Sequence, residues 1–175
     1  DVHEAKRATL AIAKYTGPVY MRLARENTPV ITTTHSSFEI GKAERYLVRD
    51  SAHRKKVGII ATGTILYQAL VAAKVLNERG IGASVLHMAT IKPFDTDAVH
   101  KFAEEHDTLV TVEEHQRAGG LGSAVTEYLS LVRPTRTLRL GIDDQFGQSG
   151  KPEELLAHYG LDSTAIVREV ERFLK

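Results

Sequence analysis

The chain has 175 residues, a length that suffices for one domain, or for one domain with part of another. Hydrophobic residues make up 42% and charged residues 26%, and 23 basic against 22 acidic residues leave a net charge of +1, which gives no electrostatic case for nucleic acid or an anionic membrane. Cysteine is absent, which excludes disulfides, thiolate catalysis and zinc–thiolate sites within this chain.

The first residues have no signal- or transit-peptide pattern, which favours a cytoplasmic location by default. The sequence opens at Asp1 without a methionine and continues directly into helix-like residues. We therefore expect a fragment or a processed product.

Residues 1–33 predict one helix and one strand. Small residues recur at helical spacing over residues 2–14, and Gly17 and Pro18 end that pattern. Residues 19–24 then read as a strand. Because two elements cannot bury a core of their own, we expect them to belong to a domain whose body lies elsewhere, with residues 32–37 as a polar connector.

Strand and helix patterns alternate beyond the connector. Strands are predicted at residues 45–48, 57–62, 83–89, 108–112 and 137–142, and helices at 65–77, 96–105, 123–131, 152–158 and 163–174. Three of the strands are near-continuous apolar runs, which is typical of strands covered by helices on both faces. The pattern predicts an α/β fold of three layers, αβα, with a mostly parallel five-stranded sheet and 45–48 as an antiparallel edge strand.

The end of the fourth strand carries the first candidate site. Glu113, Glu114 and His115 follow residues 108–112, and the glycine loop of Gly119, Gly120 and Gly122 comes next. The three ionisable residues could form an acid–base or metal cluster, but a hydrogen-bonded or partner-facing role is the alternative. If the strand pleat continues, Glu113 and His115 share one face.

The glycine loop fits neither common nucleotide motif. Val125 stands where a dinucleotide fingerprint has its third glycine, and no lysine followed by Ser or Thr makes a P-loop. Backbone N–H groups at the helix start could still hold an anion. The alternative is that the glycines allow a tight turn and close packing of the helix on the sheet.

Two further segments carry candidate residues. On an extended strand Arg22 and Arg25 point to opposite faces, and Arg25 lies at the carboxyl end, where its guanidinium could bind a phosphate or carboxylate or make a surface salt bridge. Residues 143–150 follow the last strand as a turn, in which we expect Phe146 to be a packing anchor. Ser149 is a poor nucleophile candidate, because it is not in a G-x-S-x-G elbow.

These segments together resemble one family. The carboxyl-terminal part of transketolases has similar segments in the same order, up to about Leu161: GPVYMRLAREN, FEIGKAERYLV, VGIIATGTILYQALVAAKVL, MATIKPFD, VTVEEHQRAGGLGSAV, GIDDQFGQSG and ELLAHYGL. The IKPFD segment is shared more widely, including with deoxyxylulose-phosphate synthase and 2-oxoacid dehydrogenase β subunits.

The resemblance implies a three-domain enzyme that moves a two-carbon ketol unit between sugar phosphates. It implies thiamine diphosphate and Mg²⁺ or Ca²⁺ as cofactors of the complete enzyme, active sites between two subunits, and a homodimer or a separate N-terminal subunit. The family arginine that contacts the phosphate end of the sugar falls on Arg25. No catalytic, cofactor-binding or metal-binding residue of the family falls on this chain, which alone should be inactive.

The resemblance also divides the chain. Residues 1–33 would be the last helix and strand of a pyrimidine-binding domain, residues 34–51 a linker and edge strand, and residues 52–175 the carboxyl-terminal domain. Two alternatives to transketolase remain open: an assembly or docking module, as in the 2-oxoacid dehydrogenase β subunits, and a part of deoxyxylulose-phosphate synthase.

Overall fold

Strands and helices alternate along most of the computed structural model, which describes residues 1–47 and 55–175. The strands are β1 (Glu44–Leu47), β2 (Lys56–Ala61), β3 (Gly82–His87), β4 (Thr108–Gln116) and β5 (Thr137–Ile142). The helices are α1 (Val2–Ile12), α2 (Leu66–Glu78), α3 (Thr96–Glu104), α4 (Leu121–Val132), α5 (Pro152–His158) and α6 (Ser163–Phe173). A single 3₁₀ turn, Gly63–Ile65, joins β2 to α2.

The five strands form one sheet in the order β1-β3-β2-β4-β5. β2 pairs in parallel with β3 and β4, β4 pairs in parallel with β5, and β1 runs antiparallel to β3 at the edge. This arrangement confirms the predicted mostly parallel sheet with one antiparallel edge strand. Val48, the predicted end of that edge strand, and the predicted boundary at residue 52 lie outside the described residues.

Helices cover both faces of the sheet, because alternate residues of the central strands are apolar on either side. On one face α2 and α6 pack against Val57 and Ile59 of β2 and against residues of β3 and β4. On the other face α3 and α4 pack against Ile60, Leu86 and Leu109. These two cores confirm the three-layer αβα arrangement. In the described part of the chain, no helix is both long and apolar enough to cross a bilayer.

Residues 1–33 contain the predicted helix but not the predicted strand. Asp1 caps α1, and its carboxylate also accepts hydrogen bonds from the backbone N–H groups of Ile31 and Thr32, at 2.6 and 2.5 Å. Residues 19–24 form no strand in this chain, and their assignment as the last strand of a pyrimidine-binding domain stays a prediction. A strand requires a neighbouring strand for its backbone hydrogen bonds, and the described sheet gives these residues none.

Candidate functional site at the carboxyl edge of the sheet

β4 continues through the three ionisable residues instead of ending before them. It extends from Thr108 to Gln116, and the register of its pairing with β5 shifts between Val112 and Gln116. Glu113 is buried, whereas Glu114 and His115 are exposed. The pairing with β5 is therefore irregular here, and Glu113 and His115 differ in environment, one being buried and the other exposed.

The buried side chain of Glu113 caps the start of α4. Its carboxylate accepts hydrogen bonds from the backbone N–H groups of Leu121, at 2.7 Å, and Gly122, at 2.8 Å. These N–H groups belong to the first turn of the helix, where they have no backbone acceptor within the helix. The helix dipole also favours negative charge at this end. The place at which the glycine loop could hold a phosphate is thus occupied by the chain's own carboxylate.

The glycines give this carboxylate the room it needs. A Cβ atom at Gly120 would lie 2.7 Å from Cδ of Glu113, and one at Gly122 would lie 2.8 Å from Oγ1 of Thr111. Gly119 has a φ of +77°, which favours glycine in the turn. The observations therefore support the interpretation that the loop serves a tight turn and close helix–sheet packing.

Glu114 joins three segments at the same edge. The hydroxyl of Thr64, in the 3₁₀ turn, donates to its carboxylate at 2.9 Å, and Nη1 of Arg22 donates to its backbone oxygen at 3.1 Å. These contacts give Glu114 a structural role, because they link the 3₁₀ turn and the segment of Arg22 to the end of β4. Among residues 1–47 and 55–175, no three His, Cys, Asp or Glu side chains are grouped so that they could hold a metal ion.

Arg25, the predicted phosphate ligand, is fully accessible from solvent. Its side chain is 92% exposed, and Nη2 lies 2.9 Å from the Glu26 carboxylate. Arg22 and Arg25 do not lie on a strand in this chain, so a strand pleat does not orient their side chains. The predicted phosphate-binding role of Arg25 stays a prediction.

The turn after β5 holds its aromatic residue in solvent. Phe146 is completely exposed, so the prediction that it is a packing anchor is wrong for contacts within this chain. The base of the turn is nevertheless fixed, because Arg117 forms an ion pair with Asp143 and Nε2 of Gln116 donates to the backbone oxygen of Gln145 at 3.3 Å.

A buried contact between Glu4 and His87 that the sequence did not predict holds α1 on the sheet. Oε1 of Glu4 lies 2.9 Å from Nε2 of His87, which is only 1% exposed, and the ring of Tyr46 contacts His87 edge-on. Burial raises the pKa of Glu4, but the hydrogen bond and the charge of His87, with a smaller contribution from Arg7, outweigh it, and the pKa lies below its ordinary value of 4.5. The two residues are 83 positions apart, and only the helical pattern of one and the strand pattern of the other could have suggested their contact.

The chain is similar to known proteins over its whole length. The family model described as "Transketolase, C-terminal domain" matches residues 46–166. The chain is 41% identical over 178 residues to a protein described as a transketolase C-terminal section from Methanocaldococcus jannaschii, and 38% identical over 176 residues to one of the subunits of an apulose-4-phosphate transketolase from Phocaeicola vulgatus. Each alignment covers 100% of the chain and 54% of the relative.

One solved structure is similar to this chain over nearly its whole length. It is that of a split-gene transketolase, an inactive β4 tetramer, and it matches with a TM-score of 0.90 and 37% identity over 99% of this chain and 55% of its own. The chain thus spans about half the length of the relatives that it matches.

Proposed function

The chain belongs to the transketolase family, and on that premise we propose that it is the carboxyl-terminal part of a thiamine-diphosphate-dependent transketolase. The complete enzyme would transfer a two-carbon ketol unit between sugar phosphates. The observation that carries this proposal is that the chain aligns over its whole length with proteins named as transketolases, yet covers only 54% of each.

The described residues do not fit thiamine diphosphate and its divalent metal. They contain no group of three carboxylate, imidazole or thiol side chains for a metal ion, and the N-terminus of α4 is occupied by Glu113. A diphosphate requires several converging donors and a cation to neutralise its charge. In this proposal the cofactor and metal therefore bind to another part of the complete enzyme.

The remaining part of the enzyme would be either another region of the same polypeptide or a separate N-terminal subunit. The relative from P. vulgatus is named as one subunit of its transketolase, which supports a separate subunit, and this chain covers 54% of it, which supports a further region of the same polypeptide as well. We expect the assembled enzyme to be a homodimer of complete active units and to act in the cytoplasm.

Arg25 would be this chain's contribution to substrate binding. Its guanidinium is exposed and presents planar, paired donors of the kind that bind phosphate oxygens. A phosphate would compete with the adjacent Glu26 carboxylate, which is itself 54% exposed and can move aside. The expected ligand is the phosphate end of a sugar phosphate.

Reconstitution tests the proposed activity. The chain would be mixed with the separately expressed remainder of the enzyme, thiamine diphosphate and Mg²⁺, and ketol transfer between a ketose phosphate and an aldose phosphate would be followed. We expect turnover in the mixture and none with either part alone. An assembled mixture that makes deoxyxylulose phosphate and CO2 from pyruvate and glyceraldehyde 3-phosphate, or that has neither activity, would contradict the transketolase assignment.

A further inference from the structure

A polar notch lies at the amino edge of the sheet, opposite the candidate site. It has a volume of about 480 Å³ and lies between the end of α3 and the segment that joins α4 to β5. Because β4 and β5 are parallel, the residues that precede them meet at this edge, and the length of β4 separates it from the carboxyl edge by roughly 25 Å. The polar residues that line this amino-edge notch are Glu104, His106, Asp107, Arg133, Thr135 and Arg136.

Both arginines of the amino-edge notch are anchored by backbone oxygens. Nε of Arg133 donates to the backbone oxygen of Ala103 at 3.3 Å, and Nη2 of Arg136 donates to that of Phe173 at 2.6 Å. The Arg136 guanidinium also lies 4.1 Å from the centre of the Phe173 ring. In the described part of the chain, other arginines form ion pairs with carboxylates, but neither Arg133 nor Arg136 does. Since both side chains are exposed, their positive charges remain available to a ligand.

The two carboxylates of the notch have contacts with the protein and can accept further hydrogen bonds. Oδ2 of Asp107 accepts from the backbone N–H of Lys56 at 3.1 Å, and Oε1 of Glu104 lies 3.6 Å from Nε2 of His100. A carboxylate has several lone pairs, so each can also accept hydrogen bonds from the hydroxyl groups of a ligand. The lining therefore offers guanidinium groups for an anion beside acceptors for neutral hydroxyls.

We propose that the amino-edge notch binds the phosphate ester of a small polyol, with Arg133 and Arg136 on the phosphate and Glu104 and Asp107 on the hydroxyls. Guanidinium groups present paired donors that match phosphate oxygens. The volume of the notch is in the range of small-molecule sites. The site includes neither Arg25 nor any residue of the carboxyl edge, so it is independent of ketol transfer.

The amide signals of the isotope-labelled chain in nuclear magnetic resonance test this site. Glucose 6-phosphate, inorganic phosphate or glucose would be added, and the signals of residues 104–107 and 133–136 followed. We expect saturable shifts of these signals at millimolar glucose 6-phosphate, weaker binding of inorganic phosphate, which has no hydroxyls for the carboxylates, and no binding of glucose. Arg25→Ala should leave these shifts unchanged, because Arg25 is not part of the notch.

Matched variants identify the phosphate ligands. Arg133→Gln and Arg136→Gln should each weaken binding of glucose 6-phosphate roughly tenfold or more, since each loses a charge-assisted contact. Arg136→Lys keeps the charge but not the paired donors, and it should bind with intermediate affinity even if Arg136→Gln is unstable without its contact to Phe173. Arg79→Gln is the control: Arg79 also precedes a strand at the amino edge, but its guanidinium is already paired with Glu171 at 2.8 Å. It should bind as the wild type does, and thermal unfolding checks the fold of every variant.

Three results would overturn the proposal. The first is a wild-type chain whose signals show no saturable shift at millimolar glucose 6-phosphate. The second is an equal loss of binding in Arg133→Gln and Arg79→Gln, because net charge alone would then explain it. The third is inorganic phosphate that binds as tightly as glucose 6-phosphate, since Glu104 and Asp107 would then take no part. A complete enzyme that lacks ketol transfer would remove the proposed activity and leave this site standing.

Discussion

Glu113 is the single residue on which the strand–loop–helix corner depends most. Its removal leaves two buried N–H groups at the start of α4 without an acceptor, and nothing else in the loop replaces the carboxylate. Glu113→Ala should therefore lower the free energy of unfolding by about 1.5–3 kcal/mol. Urea denaturation of the purified chain measures this change.

The neighbouring residue supplies the control for that prediction. Glu114 is exposed, and its carboxylate accepts one exposed hydrogen bond from Thr64. Glu114→Ala should change the unfolding free energy by no more than about 0.5 kcal/mol, as surface substitutions usually do. Similar losses for both variants would mean that Glu113 is not a helix cap.

Arg25 should affect the use of phosphorylated substrates and leave the fold unchanged. In the complete enzyme, Arg25→Ala removes a charge-assisted contact to a phosphate, at a cost of roughly 1.5–3 kcal/mol in binding. We expect a higher KM for sugar-phosphate donors and little change for hydroxypyruvate, a donor without a phosphate. Steady-state kinetics with both donors makes the comparison.

Arg168 provides a matched control for Arg25. It is exposed and forms an ion pair with the next residue, Glu169, just as Arg25 does with Glu26. Arg168→Ala should leave the kinetics with both donors unchanged. Equal losses with phosphorylated and unphosphorylated donors in Arg25→Ala would reject the phosphate-binding role.

Among the elements, α1 is the one whose attachment should depend on pH. The pKa of Glu4 is lowered in the folded chain, so its contact with His87 stabilises the docked helix fully above pH 4.5, the ordinary pKa. That contribution is lost as the pH falls through the lower, folded-state pKa. Hydrogen exchange in α1 should therefore become faster on acidification before the sheet loses its protection.

Two variants test this attachment. Glu4→Gln should speed exchange in α1 at pH 7 and remove its acid dependence, while the amides of β2 and β4 stay protected. Glu26→Gln, which changes an exposed carboxylate in the same N-terminal stretch, should behave as the wild type does. An α1 that remains equally protected in Glu4→Gln would show that the contact between Glu4 and His87 does not hold it.

The elements also mark how far the sequence could predict this structure. The strands of the sheet and the helices that cover it have strong apolar periodicity in the sequence. Their alternating order predicted the three-layer αβα fold. The sequence could not predict what a segment meets in three dimensions: within residues 1–47 and 55–175, residues 19–24 find no strand to pair with, and Phe146 is fully exposed. The Glu4–His87 pair lay beyond prediction because local patterns do not specify contacts across 83 positions.

At the candidate site, too, the sequence did not specify the contacts that form in three dimensions. The sequence placed Glu113 and the glycine loop together and left open whether the helix start holds a ligand or packs tightly. Only the distance between the Glu113 carboxylate and the N–H groups of α4 decides between these alternatives. For Arg25 the resemblance to transketolases, and not the strand pattern, remains the support.

For the whole molecule, the distribution of charge predicts that this chain by itself does not bind the cofactor. The N–H groups at the start of α4, which converge at the carboxyl edge, are already paired with Glu113, and the described residues offer no metal cluster. A diphosphate placed there would meet a carboxylate at hydrogen-bonding distance, and like charges in contact repel each other strongly in a buried site.

Calorimetry of the isolated chain with thiamine diphosphate and Mg²⁺ measures this directly, and we expect no binding at micromolar concentrations. The mixture with the separately expressed remainder of the enzyme is the positive control and should bind the cofactor, because in the proposed enzyme that remainder carries the metal and phosphate ligands. Glu113→Ala separates the effect of the Glu113 carboxylate from the effect of the missing metal ligands in the isolated chain. If the carboxylate is what excludes anions, the variant should gain weak, salt-sensitive binding of inorganic phosphate at the start of α4 that the wild type lacks. Micromolar binding of the cofactor by the wild-type chain would contradict the prediction and place a cofactor site within these 175 residues.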